Sequence, residues 1–200
     1  MIRRVLVHPR VSPFLMGLFL ALPTFLTARI YRVVRSHWVV DPRKDSFEQV
    51  FSTLASSGIQ GDYLEFGVYR GSSFVQAYQM SEKYRVAGMR FFAFDSFQGL
   101  PSSEGKTFNK GEFQCSRPLF TKIIRKAGVD LDKVVVVEGF YQDSLQDQVK
   151  VDYGLKKASL IHVDCDLYVS AKDVLHFVQD LLQPGCVIVM DDWHTFEAAD

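Results

Sequence analysis

The segment YLEFGVYRGSS, residues 63–73, decides the fold class because an apolar run passes through two glycines into a serine pair. The run predicts a buried strand over Tyr63–Gly67, and the next stretch predicts a helix over Ser72–Tyr84. Gly67 and Gly71 have the spacing G-x-x-x-G, whereas dinucleotide sites use G-x-G-x-x-G, and no phosphate-loop motif occurs. The segment therefore indicates an α/β fold without a dinucleotide or triphosphate signature.

Further apolar runs repeat this pattern of strand and helix along the chain. Because strands alternate with amphipathic stretches, we predict βαβ units around a parallel sheet flanked by helices. Each predicted strand ends in Gly, Asp or Glu, at the sheet edge where ligands of open α/β sheets bind. The other predicted strands are Phe91–Asp95, Val134–Glu138, Leu160–Asp164 and Cys186–Asp191, and the other predicted helices are Ser46–Ser56, Leu119–Ala127 and Ala171–Leu182.

Composition narrows the class of protein. The 200 residues carry 23 basic and 23 acidic side chains, so the chain lacks the basic excess of a nucleic-acid-binding protein, and we expect no nucleic-acid partner. The three cysteines, Cys115, Cys165 and Cys186, have no C-x-x-C spacing, which argues against a disulfide framework and a structural zinc site. We therefore expect a reducing, cytoplasmic compartment.

The N-terminal segment differs from the rest of the chain. Val11–Ala28 contains no charged residue, and arginines flank it on both sides. We expect residues 1–40 to be a separate segment in which residues 11–34 either contact a membrane or form an apolar helix packed on the domain. The α/β domain is predicted over residues 41–200, and its long loop over 96–117 is typical of a lid or substrate-binding segment.

Residues around the glycine turn form the first candidate site. Such a turn lets a nucleotide-like ligand approach the backbone, and the helix N-terminus after it attracts an anionic group such as a carboxylate. The alternative is that the glycines serve only a tight strand-to-helix turn. The candidate cofactor residues of this segment are Glu65, Gly67, Tyr69, Gly71, Ser72 and Ser73.

Two further strand ends extend this candidate site. Asp95 and Ser96 follow the second strand, where a carboxylate could accept both ribose hydroxyls of the same ligand. Glu138, Gly139 and Phe140 follow the third strand and could line the adenine. A strand-ending acid such as Glu138 is equally typical of a solvated loop or a helix cap.

Acids at the ends of the fourth and fifth strands are the most informative feature. Several carboxylates close together at one sheet edge cost free energy unless a cation binds to all of them. Hard oxygen ligands favour magnesium or calcium over zinc. The alternative is that these acids face solvent or cap helices. His162 lies mid-strand and is predicted to be a satisfied core residue. The carboxylates are Asp164, Asp166, Asp191 and Asp192.

Five motifs in order resemble the macrocin O-methyltransferase family, whose members methylate sugar hydroxyls on natural products. They are LEFGVYRGSS, FAFDSFQGLP, VVVVEGFYQDSL, HVDCDLYVSAKDVL and VIVMDDWHTF. The resemblance covers about residues 46–196. It implies a Rossmann-like class I methyltransferase fold that uses S-adenosylmethionine and Mg²⁺. The family fold continues beyond the last motif with a helix and an antiparallel strand pair, which the 200 residues lack, so we expect a truncated domain.

The resemblance also implies roles for individual residues. Asp164, Asp191 and Asp192 match the metal ligands. The family's general base is an acid at the Asp164 position or, in some members, a histidine three residues later, where this chain has Leu167. The candidate catalytic residues are Asp164, Asp166 and His194.

The expected activity is transfer of a methyl group from S-adenosylmethionine to a hydroxyl of a sugar or glycosylated small molecule, with Mg²⁺. A catechol-like aromatic diol would need the same metal and cofactor, and an inactive truncated domain is a third interpretation. An NAD-dependent oxidoreductase is excluded because the dinucleotide glycine motif is missing and Asp95 lies too far beyond the turn. A homo-oligomer is compatible with the sequence.

Overall fold

The computed structural model describes residues 42–103 and 108–191, with the backbone alone for residues 42–45. The chain divides into two units, Met1–Ser46 and Phe47–Asp200, and the second contains the sheet. Among the described residues, no helix has the length and apolarity needed to cross a membrane. The N-terminal segment, Asp192 and His194 lie outside the described residues, so the predictions made for them remain predictions.

A five-stranded sheet forms the centre of the second unit. Its order is β3-β2-β1-β4-β5 and every neighbouring pair is parallel, so the predicted parallel α/β architecture is confirmed. The second and third strands have the predicted bounds, whereas the other three begin or end one or two residues away from them. The strands are β1 Asp62–Phe66, β2 Phe91–Asp95, β3 Val134–Glu138, β4 Ala158–Val163 and β5 Val187–Met190.

Helices connect the strands. The predicted bounds of α2 are confirmed, while α6 begins three residues before its prediction and ends in a 3-10 turn. Two short helices after β3 were not predicted, because four to six residues are too few to show a helical period. The helices are α1 Pro42–Ser57, α2 Ser72–Tyr84, α3 Arg117–Lys126, α4 Tyr141–Ser144, α5 Asp147–Asp152 and α6 Tyr168–Val178, with 3-10 turns at Leu131–Lys133 and Gln179–Leu181.

Both faces of the sheet are covered. Alternate residues of β1 point to opposite faces, so Tyr63 packs among side chains of α1, α2 and α3, while Leu64 and Phe66 pack towards α6. All five residues of β1 are buried. Central strands of a parallel sheet covered on both faces bury whole apolar runs, as the sequence predicted.

Backbone hydrogen bonds continue past the strand ends and hold them in one row. The amide of Gly139 donates to Asp95 O, and the amide of Gly67 donates to Phe94 O at 2.9 Å. On the other side of β1, the amide of Asp164 donates to Phe66 O and the amide of Asp191 donates to Val163 O. The residues that follow the five strands therefore meet at one edge. The strand order reverses between β1 and β4, and such a switch point is where ligands of open α/β sheets bind.

Gly67 lies very close to the backbone of Asp164 at this edge, so a substitution of Gly67 tests the fold. A Cβ at Gly67 would lie 1.8 Å from the carbonyl oxygen of Asp164, and the backbone has φ +87°. We expect Gly67→Ala to lower the free energy of unfolding by about 3–5 kcal/mol, because the two strand ends must separate. Urea unfolding followed by circular dichroism measures this change.

Gly88→Ala is the matched control for that experiment. Gly88 also has a positive φ, +73°, but a Cβ there would meet nothing within 4 Å. We expect a cost of about 1 kcal/mol, from backbone strain alone. Equal costs at the two glycines would contradict the close approach of Gly67 to β4.

Candidate functional site

Asp95 organises the glycine turn. Its Oδ2 accepts hydrogen bonds from the amides of Val68 at 2.9 Å and Tyr69 at 3.1 Å, and its Oδ1 accepts one from the amide of Phe97 at 2.7 Å. Burial raises the pKa of Asp95, although the three amides oppose the rise. The residue predicted to bind ribose hydroxyls therefore also holds the turn, a role that the sequence did not indicate.

The two glycines of the turn each have a packing reason. Gly67 approaches the backbone of Asp164, as described above. Gly71 precedes α2 with φ +75°, and a Cβ there would lie 2.8 Å from Ile124 and 2.9 Å from Phe120, both on α3. The alternative that these glycines serve the turn itself thus has direct structural support. Gly71 brings no side-chain cap to α2, which leaves the helix N-terminus suited to an anionic group.

Glu65 and Ser73 bind each other beneath the turn. Glu65 is 0% exposed, and its carboxylate accepts hydrogen bonds from the hydroxyls of Ser73 and Tyr63, both at 2.5 Å. Burial and then the nearby Glu65 raise the pKa of Tyr63 well above its ordinary value, so the phenol stays protonated and donates. The Ser73 hydroxyl, predicted as a donor to a ligand, is used inside the protein, whereas Ser72 is exposed.

Tyr69 lies at the exposed rim of the turn. Tyr69 is 40% exposed, and its ring meets Phe113 of the long loop edge-on at 5.9 Å between centroids. The Arg70 guanidinium lies over the same ring, 5.5 Å from its centroid. The long loop also supplies Leu100 and Phe108, which form a small buried cluster with Leu167 after β4. The loop predicted to be a lid or substrate-binding segment thus contacts both the turn and the residue next to Asp166.

The residues after β3 lie on the far side of Asp95. Glu138 is exposed and forms an ion pair with Arg117 at 3.4 Å, which favours the solvated interpretation of this acid. Gly139 is half-buried and is joined to β2 through its amide. Phe140 is half-buried and is the residue just before α4, and Ser96 is buried, with a hydroxyl that donates to Gly99 O. The hydroxyl of Ser96 therefore closes a local turn.

The acids after β4 and β5 come together, and a histidine joins them. Single ligand atoms of His162, Asp164 and Asp191 all lie within 4.8 Å of one another. Asp166 follows in a left-handed backbone conformation, φ +60°. Burial and then the negative charge of Asp191 raise the pKa of Asp164 to about 7. Two carboxylates in one partly dry site therefore repel each other, and a divalent cation would relieve that repulsion.

His162 corrects one prediction. It is buried in the core, as expected, but it is not satisfied: neither ring nitrogen has a hydrogen-bond partner among the described residues. Burial would lower its pKa, but the carboxylates of Glu65, Asp164 and Asp191 together outweigh burial and the net pKa is raised. A signal was present in the sequence, since His162 and Asp164 are two residues apart on the predicted strand Leu160–Asp164, and such residues point to the same face.

The donor set fits the cofactor and metal that the resemblance implies. Two carboxylates and a ring nitrogen meet at the β4 and β5 ends, and oxygen ligands suit Mg²⁺ or Mn²⁺. The uncapped N-terminus of α2 and the Asp95 carboxylate lie along the same edge and suit the charged and hydroxyl groups of a nucleoside-like molecule.

Replacement of Asp95 tests the turn. An amide side chain keeps one acceptor oxygen, so Asp95→Asn leaves at least one backbone amide without its partner. We expect the free energy of unfolding to fall by about 1–3 kcal/mol and the affinity for S-adenosylmethionine to fall at least about tenfold. Thermal unfolding and calorimetric titration measure the two effects.

Asp130→Asn serves as the control for Asp95→Asn. Asp130 caps an exposed 3-10 turn by accepting from the amide of Asp132, and asparagine caps equally well. We expect both quantities to remain at wild-type values. Unchanged stability and binding in Asp95→Asn would show that the turn does not depend on Asp95.

The acid cluster formed by Asp164 and Asp191 predicts a pH dependence for cation binding. Asp164 must lose its proton to bind a cation, and below its pKa of about 7 the proton competes. The apparent affinity for Mn²⁺ should therefore rise by up to about tenfold per pH unit from about pH 5 and level off above about pH 7. Calorimetry in buffers of different ionisation enthalpy measures the affinity and the released proton. An affinity independent of pH would contradict this arrangement.

Comparison with known proteins identifies a family and relatives to which this chain is similar. The family model for Macrocin-O-methyltransferase (TylF) matches residues 36–200. A Streptomyces olivaceus protein, 8-demethyl-8-(2,3-dimethoxy-alpha-L-rhamnosyl)-tetracenomycin-C 4'-O-methyltransferase, is 24% identical over 161 residues, which are 76% of this chain and 60% of that protein. The chain thus spans about three-fifths of that relative's length.

Solved structures show the same fold. CalS11, a calicheamicin methyltransferase, superposes with a TM-score of 0.68 and 21% identity over 94% of this chain and 80% of its own. An O-methyltransferase from Bacillus cereus in complex with SAH has a TM-score of 0.50 and 17% identity, over 91% of this chain and 67% of its own. With the family model matched over most of the sequence, the chain belongs to the macrocin O-methyltransferase (TylF) family.

Proposed function

We propose that this protein transfers a methyl group from S-adenosylmethionine to a hydroxyl of a sugar or glycosylated small molecule, with Mg²⁺ bound at the acid cluster. The observation that carries the proposal is the meeting of His162, Asp164 and Asp191 beside the glycine turn on one sheet edge. Family membership supports methyl transfer, and the name of the Streptomyces relative, a rhamnosyl compound 4'-O-methyltransferase, supports a sugar acceptor.

The glycine turn supports the cofactor position in this proposal. The N-terminus of α2 after Gly71 suits the carboxylate of the methionine part, and Asp95, which accepts a hydrogen bond from the turn, suits the ribose hydroxyls. The Bacillus cereus structure contains SAH, the product of methyl donation, on the same fold. S-adenosylmethionine supplies an electrophilic methyl group, so the protein has only to place the acceptor oxygen and remove its proton.

The acid cluster supports the metal position in this proposal. Asp164 and Asp191 provide oxygen ligands, and Asp192 is the third ligand in the proposal. A divalent cation there would lower the pKa of a sugar hydroxyl, which is a very weak acid. A cation there would also relieve the repulsion from Asp191, which adds to burial in raising the pKa of Asp164 to about 7.

Asp166 is the proton acceptor in this proposal. Asp164 is occupied as a ligand, which leaves Asp166, two residues beyond it, as the neighbouring carboxylate on the same loop. Its left-handed φ of +60° turns the chain immediately before α6, and Leu167 anchors that turn in the core at 1% exposure. A general base on a fixed turn can accept the hydroxyl proton without reorganisation.

An assay with paired acceptors tests the proposal. The full chain is incubated with S-adenosylmethionine, Mg²⁺ and either a rhamnosyl glycoside or a catechol, and methylated product is measured by mass spectrometry. We expect methylation of the glycoside, dependent on the cation, and a drop in kcat of about 10²–10⁴-fold in Asp166→Asn. Exposed Asp132→Asn is the control and should keep wild-type activity.

Several outcomes of this assay would change the proposal. Methylation of the catechol alone would replace the sugar by an aromatic diol as acceptor. Equal activity with and without a divalent cation would remove the metal from the mechanism. A folded chain that does not bind S-adenosylmethionine would contradict the activity as a whole.

A further inference from the structure

The histidine that lies beside Asp164 and Asp191 has no role assigned to it in the proposed methyl transfer. His162 is 0% exposed on β4, and its ring meets the Phe47 ring edge-on at 5.3 Å between centroids. A neutral imidazole carries one donor and one acceptor nitrogen, and both lack a hydrogen-bond partner among the described side chains. Orphaned polar atoms in an apolar core cost free energy, so a purely space-filling role leaves this cost unexplained.

Two neighbours of the ring indicate what the nitrogens are for. Glu65 Oε1 lies 3.7 Å from Nδ1, slightly too far for a hydrogen bond but close enough for one after a small shift. A ring nitrogen of His162 is also within 4.8 Å of ligand oxygens of both Asp164 and Asp191. The imidazole therefore has the Glu65 carboxylate near Nδ1 and the two acids of the proposed cation site near a ring nitrogen.

The Glu65 carboxylate is well placed to orient the ring. Its two oxygens are held by the Tyr63 and Ser73 hydroxyls at 2.5 Å, so it has little freedom to move. Residues 65 and 162 are paired directly in the register of β1 and β4. A histidine that binds a metal usually donates its other ring N–H to such a carboxylate, which fixes its tautomer.

We infer that His162 is a nitrogen ligand of the cation held by Asp164 and Asp191, with Glu65 as the positioning residue that accepts its Nδ1–H. The inference rests on the metal part of the proposed function. A mixed nitrogen and oxygen donor set favours Mn²⁺ over Mg²⁺ and Ca²⁺, because imidazole is a better ligand for transition metals than for hard cations.

Mn²⁺ is the probe for the test. Pulsed electron paramagnetic resonance of Mn²⁺ bound to the full chain detects any ¹⁴N nucleus in its coordination shell. We expect ¹⁴N coupling in the wild type, its loss in His162→Gln, and a fall in Mn²⁺ affinity of at least about tenfold in that variant. Glu65→Gln should keep the coupling and weaken the affinity by about 10–100-fold.

The other histidines provide the matched control. The chain has five, and a variant in which the other four are glutamine leaves His162 as the only imidazole. We expect this variant to keep the wild-type ¹⁴N coupling, and because His162 itself is unchanged in it, the test holds even if His162→Gln fails to fold. The four substitutions are His8→Gln, His37→Gln, His176→Gln and His194→Gln.

The results separate this inference from the proposed function. Bound Mn²⁺ without ¹⁴N coupling, or coupling that disappears in the four-histidine variant, would overturn the role of His162 and leave the carboxylate metal site intact. A folded wild-type chain that binds no Mn²⁺ would overturn both the inference and the metal part of the proposed function.

Discussion

The close approach of β1 to β4 is the constraint on which the candidate site depends. Gly67 has no Cβ, so its backbone can lie against the carbonyl of Asp164 while the amide of Asp164 donates to Phe66 O. That approach places the glycine turn, which suits the cofactor, directly beside the acids that suit the metal. In the proposed function, this backbone contact would set the distance between the methyl donor and its acceptor, and side chains would adjust the geometry that the sheet supplies.

The sequence predicted the sheet well because buried parallel strands are continuous apolar runs. Phe91–Asp95 shows this directly, since its apolar residues are buried and its bounds and terminal acid were both predicted. The bounds of helix α2 were predicted equally well, from the glycine turn that precedes it to its last residue, Tyr84. The short helices α4 and α5 were missed, because they contain no full amphipathic repeat and their position depends on packing against the sheet.

Parts of the site could be predicted only in outline. The acids were placed at strand ends by pattern, and the register of β4 and β5 then showed that Asp164 and Asp191 meet. The use of Asp95 by backbone amides could not be predicted, because it depends on how the turn folds back. The prediction that His162 is a satisfied core residue was wrong, because hydrogen-bond satisfaction depends on the neighbouring strand and not on hydrophobicity.

The buried group of Tyr63, Glu65, Ser73 and His162 has a consequence for how this sequence can change. Each member is inside the protein, and Glu65 contacts all three others, two through hydrogen bonds and His162 at 3.7 Å. Loss of Glu65 alone would leave two hydroxyls without their acceptor, and loss of a hydroxyl would leave a buried charge under-solvated. The energetic effects of substitutions at these four positions are therefore coupled. We expect divergent relatives either to keep all four polar residues or to replace all four with apolar ones.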